Sequence, residues 1–135
     1  MNKLQVILVL LVSVFFLSSC QNNLLNAKQQ SADKIVLHQM ERFGQVKENT
    51  RYEITDEQTI ELFAEAILRA DKVPGVADVV DPNFKVGFGE QELYVWIAED
   101  HGSVMDAADT HTLYTMEERD AERLYSFFSS EHLLD

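Results

Sequence analysis

The chain of 135 residues carries 23 acidic side chains against 11 basic ones, a net charge of −12 with neutral histidines. A surface of that sign is repelled by nucleic-acid phosphates and anionic lipid heads. Nucleic acid is therefore excluded as a partner, and the charge suits solubility, a basic partner or cations. A single cysteine rules out an internal disulfide, so a domain of this length must be held together by packing.

At the start of the chain, Lys3 and the α-amine give a short positive segment. Val6 to Leu17 is then apolar apart from Ser13, and Leu17-Ser18-Ser19-Cys20 closes the run. The arrangement resembles a bacterial lipoprotein signal peptide with its lipobox. The apolar run is shorter than the roughly 20 residues that a permanent membrane helix needs. The resemblance implies that residues 1–19 are removed and that Cys20, lipidated by acyl chains of the palmitate type, becomes the first residue. The protein would then be anchored in the cell membrane, on its extracytoplasmic face. Each buried methylene contributes roughly 0.8 kcal/mol, and two chains make such an attachment stable where one does not. Residues 20–33 are polar and rich in Asn and Gln, which predicts a flexible spacer with Leu24 and Leu25 as isolated apolar positions. Residues 34–135 are expected to form a single domain.

Within that domain, Lys34 to Phe43 fits a strand, with Ile35, Leu37 and Phe43 on one face and Val36 and Met40 on the other. Gly44 to Asn49 reads as a turn, and Arg51 to Ile54 as a second strand. Thr55-Asp56-Glu57-Gln58 matches a capping box, in which the Thr55 hydroxyl takes the third helical amide and Gln58 reaches back. The helix it opens carries Ile60, Phe63, Ala64, Ile67 and Leu68 as an apolar stripe, and Pro74-Gly75 ends the run. Val76 to Asn83 is expected to be a loop. Phe84, Val86 and Phe88 alternate as a strand, and Gly89-Glu90-Gln91 turns the chain into Leu93 to Ala98. Both faces of that second strand are apolar, as suits a central strand covered on both sides. A turn at Asp100 to Ser103, short strands at Val104-Met105 and Thr112 to Tyr114, and a second capping box at Thr115 to Glu118 complete the series. The last helix presents Leu124, Phe127 and Phe128. The order β-β-α-β-β-β-β-α, with hairpin-length connections, predicts an α+β fold: a small antiparallel sheet with two helices packed on it.

Val73-Pro74-Gly75, Asp81-Pro82-Asn83-Phe84, Leu93-Tyr94-Val95-Trp96 and Thr110-His111-Thr112-Leu113-Tyr114 resemble the YhfM-like small lipoproteins of Bacillus-type bacteria, over roughly Ile35 to Phe128. The resemblance implies a Gram-positive lipoprotein of unassigned role and carries no catalytic or ligand residues with it.

The densest set of chemical groups is His101, Asp106, Asp109 and His111, whose imidazoles and carboxylates suit a divalent ion. Their spacing matches no established ligand motif, and Asp is also common in turns, where it bonds nearby amides. Ser103 and Ser126 lack the glycine context of a nucleophile elbow, and Gly87-Phe88-Gly89 sits in a hairpin rather than a phosphate loop. No enzymatic activity and no cofactor are expected. Tyr94 and Trp96, joined by Tyr114 and Phe84, form an aromatic platform if exposed and plain core if a helix covers them. The sequence thus favours a lipid-anchored, non-catalytic interaction module with an exported protein as partner. The alternative is a lipoprotein that binds a small ligand or divalent cation through Asp100 to His111.

Overall fold

The computed structural model describes residues 2–3, 22–26 and 32–134. Cys20 and nearly all of the 1–19 leader lie outside the described residues. Eight antiparallel strands form one open sheet: β1 (Ile35–Arg42), β2 (Gln45–Val46), β3 (Tyr52–Ile54), β4 (Asp71–Lys72), β5 (Phe84–Phe88), β6 (Gln91–Ile97), β7 (Gly102–Asp106) and β8 (Tyr114–Thr115). The helices α1 (Glu57–Leu68) and α2 (Glu118–Ser130) complete the α+β fold of the described domain. The spatial order is β2-β1-β5-β6-β7-β8-β4, and β3 also pairs with β1. The short strands β2 and β4 fall where the sequence reads as turn, because two residues carry too little pattern to announce a strand.

Strand alternation divides the sheet into two faces. Ile35 and Leu37 of β1 oppose Phe88 and Val86 of β5, while Phe84 and Val86 oppose Val95 and Leu93 of β6. All of these are buried, together with Val104 of β7. Both helices close over this inner face. From α1, Ile60, Phe63, Ala66, Ile67 and Leu68 are buried, and from α2, Ala121, Leu124 and Phe128. Phe128 stacks on Phe84 with ring centroids 4.2 Å apart and meets Phe63 edge-on at 5.7 Å. This pairing ties both helices to the middle of the sheet.

The helix starts differ from the capping boxes read in the sequence. Asp56, not Thr55, caps α1, and its carboxylate accepts from the Thr59 amide at 3.0 Å and the Thr59 hydroxyl at 2.7 Å. Those two donors hold the Asp56 carboxyl below its ordinary value. At α2 the N-cap is Glu117, and no side chain caps the helix. Thr115 is taken up by β8, where it pairs with Asp71 and Ser103.

The spacer expected over residues 20–33 does not hold at residues 22–26. Leu24 and Leu25 are 7% and 1% exposed and belong to the core. The Asn22 amide group donates to the carbonyls of Ile67 and Ala70 at 2.8 and 2.7 Å, and its backbone N–H donates to Leu68. The last carbonyls of a helix have no partner within it, and Asn22 supplies one here. The asparagines of this stretch match linker composition, whereas Asn22 serves as a cap.

Topology also places one loop. β4 lies at the far edge and β5 next to β1, so the chain between them must travel back across several strands. It first follows the 111–113 segment, with Val73 N–H donating to Leu113 and Ala77 N–H to His111. It then passes over the outer face, where the Trp96 indole Nε1 donates to the Val80 carbonyl at 2.9 Å.

Candidate functional site

With both helices on the inner face, the outer face carries the side chains free to meet other molecules. Register sets them in rows. Glu92, Gly87, Val36 and Glu53 form one row, Met105, Tyr94, Lys85 and His38 the next, and Ser103 and Trp96 a third.

The first two rows frame a groove of about 660 Å³ walled by Lys34, His38, Lys85, Glu90 and Glu92. Gly87 creates the dip: a side chain added there would find only the Val36 carbonyl, at 3.6 Å, so the space above it is open. Its cations are already matched, Lys85 to Glu92 at 2.9 Å and Lys34 to Glu53 at 3.8 Å. These pairs are solvent-screened and weak, so the groove is of mixed sign rather than an anion trap.

Aromatic side chains dominate the other end. Phe43 packs edge-on against Tyr94 with centroids 4.9 Å apart and tilts over Trp96 at 6.0 Å. Its backbone N–H donates to the Asp81 carboxylate at 2.8 Å, joining the β1–β2 turn to the 73–83 loop. Beneath this cover Tyr94 is 8% exposed and Met105 is fully buried. Phe43 itself is 36% exposed and Val80 79%.

The platform expected from the sequence therefore forms on the outer face, but with different members. Tyr94 and Trp96 are there, Tyr94 buried and Trp96 half-buried under a turn and a loop rather than a helix. Phe84 points inward onto Phe128, and Tyr114, opposite Val104, packs against the core. Phe43 takes their place, although simple alternation put it with Ile35 and Leu37. A register shift between Met40 and Arg42 breaks the alternation. A bulge of this kind re-aims every side chain beyond it. Nothing in the composition of Met40 to Phe43 announces it.

Of the four residues considered for a cation, Asp109 and His111 come within 4.0 Å of each other, but His101 is kept apart from them and from Asp106. His101 precedes β7 and Asp106 ends it, which separates them by roughly 17 Å of extended chain. His101 pairs with Asp100 at 2.9 Å, and that hydrogen bond lowers the Asp100 carboxyl from its ordinary value. Asp106 accepts from the Ala108 amide at 2.9 Å. Asp109 is lowered by bonds from Thr112 and from the His111 amide. Each carboxylate thus serves its own turn. Among the described residues no group of three His, Cys, Asp or Glu side chains is placed to hold a metal ion.

Comparison with known proteins agrees with the motif resemblance. No curated protein and no solved structure matches the chain. A family model described as YhfM protein matches residues 28–133, which takes in every strand, both helices and the whole outer face. The chain belongs to the YhfM protein family.

Proposed function

We propose that this protein is a lipoprotein held by Cys20 on the extracytoplasmic face of the cell membrane, where it acts without catalysis as an interaction module for an exported protein. The observation that carries the reading is the only thiol of the chain standing at the end of Leu17-Ser18-Ser19-Cys20 after an apolar run. The outer sheet face supports the second half of the reading, since it offers a groove and a half-exposed aromatic cluster on a rigid strand framework.

The anchor is also short. Asn22 is fastened to the end of α1, and only Gln21 separates it from Cys20. Two residues reach at most about 7 Å, so the domain sits close to the acyl chains rather than at the end of a long tether.

The test is incorporation of labelled fatty acid, with detergent partitioning, in cells carrying wild type or Cys20→Ser. A hydroxyl cannot take the place of the thiolate in lipid transfer, so Cys20→Ser is expected to lose the label and either to stay as an uncleaved precursor held by its apolar leader or to be released by a different peptidase. A Cys20→Ser protein that takes up label as wild type does would overturn the anchored reading.

A further inference from the structure

Trp96 and Gln91 lie toward opposite ends of β6, five residues or about 17 Å apart. The Gln91 end receives the N-terminal segment: the Gln91 amide donates to the Leu24 carbonyl and accepts from the Asn26 N–H. Leu24 and Asn26 therefore sit at the Gln91 end, the chain toward Cys20 leaves from Asn22 at the end of α1, and the aromatic cluster occupies the Trp96 end of β6.

That Trp96 end collects exposed apolar surface. The exposed large hydrophobic side chains among the described residues are Phe43, Val76 and Val80. Phe43 packs on Trp96 and Val80 takes the Trp96 indole hydrogen bond, whereas Val76 lies earlier in the loop, beside Ala77 on the 111–113 segment. Clustered exposure of this kind marks an interaction surface, whereas scattered single residues do not. Its neighbours along the chain include exposed Glu41, Asp78, Asp81, Glu99 and Asp100, against Arg42 and His101 and against Lys85, which stands opposite Tyr94 but is matched by Glu92.

We propose that Phe43, Trp96 and Val80 form a docking surface for a cationic segment of an exported protein, with apolar side chains seated on the aromatic cluster and Lys or Arg facing the acidic rim. Charge selects this occupant. A second copy would bring acid against acid, and anionic lipid heads are repelled in the same way. That the partner is an exported protein rests on the anchored reading.

Trp96 is the only tryptophan, so its emission reports directly from the surface. The experiment titrates the full chain, reconstituted in phosphatidylcholine vesicles, with a short peptide alternating Lys and Leu and with its Glu-Leu counterpart. The Lys peptide is expected to give a saturable blue shift that weakens with salt, and the Glu peptide none. Val80→Lys keeps the backbone carbonyl that holds Trp96, and it should weaken binding about tenfold. Glu61→Lys, on the exposed side of α1, should leave it within about twofold. Absence of the shift, or equal weakening by both substitutions, would overturn the proposal. So would a Trp96 shift produced by phosphatidylglycerol vesicles or by raising protein concentration alone. Fatty-acid label on the same preparation separates the two ideas: label lost with binding kept removes the anchor and leaves the docking surface.

Discussion

The guanidinium of Arg69 holds the carboxylate of Asp120 through two parallel hydrogen bonds, Nε to Oδ2 at 2.9 Å and Nη2 to Oδ1 at 2.8 Å. Arg69 is the C-cap of α1 and Asp120 lies in the first turn of α2, so each charge sits at the helix end whose dipole favours it. Asp120 is wholly buried, and its partner is 27% exposed. The hydrogen bonds to Asp120, with help from Glu65 at 3.2 Å, raise the Arg69 pKa above its ordinary value. One fork thereby fixes how the two helices lie over the sheet.

Removing the cation strands a buried carboxylate. Arg69→Met is expected to cost about 3–5 kcal/mol in urea unfolding, because the desolvated charge keeps only the exposed Arg119, 3.8 Å away. Arg69→Lys should recover only part of this, since an ammonium cannot supply the fork. Arg69→Met combined with Asp120→Leu should be less destabilised than Arg69→Met alone.

Two adjacent aromatic residues of α2 differ in burial. Phe128 is wholly buried and touches Phe84, Phe63 and Phe127, so Phe128→Ala is expected to lose about 3–5 kcal/mol. Phe127 is only partly buried, and Phe127→Ala should cost clearly less by the same measurement.

Both helical stripes could be read from the sequence because a period of 3.6 over a dozen residues is a strong signal, and it named Ile60, Phe63, Ile67 and Leu124 correctly. The alternating strands β5 and β6 were equally legible. The bulge after Met40, the Asn22 cap and the Arg69–Asp120 fork were not, for a common reason. Each depends on a partner distant in the chain or on one residue of register, and neither leaves a periodic trace. The outer face was half legible: Tyr94 and Trp96 shared a face by alternation, but Phe43 and Val80 reach them only through the turn and the returning loop.

Leu25 tests the docking of the N-terminal segment. It is 1% exposed within the core, so Leu25→Ala should lower stability by about 2–5 kcal/mol. Were the segment a free linker, the same substitution would leave the urea midpoint unchanged.

Gly102 is required by space rather than by backbone angle. A Cβ there would lie 2.9 Å from Met116 Sδ, 3.1 Å from Ile97 Cδ1 and 3.3 Å from the Trp96 carbonyl. Met116 can shift, but the carbonyl belongs to the β6 backbone and cannot easily do so. Gly102→Ala is expected to cost roughly 1–3 kcal/mol by overpacking, seen as a lower thermal midpoint with unchanged far-ultraviolet circular dichroism.

The Asp56 cap predicts a pH dependence of defined sign. Donation from the Thr59 hydroxyl and amide favours the ionised carboxylate, so its folded pKa lies below the unfolded one. A group shifted this way stabilises the fold above the unfolded value, near 4, and loses that contribution as pH falls through the folded value. Asp56→Ala should therefore lower the urea midpoint at pH 7, and the gap to wild type should narrow as pH drops below about 4. Asp56→Asn keeps an oxygen acceptor that does not titrate, and its midpoint should track wild type more closely than the alanine variant at pH 7. Other carboxylates titrate in both backgrounds, so the difference between wild type and Asp56→Ala isolates this one. A gap that stays constant from pH 7 to pH 2.5 would show that the cap works through shape alone and not through its charge.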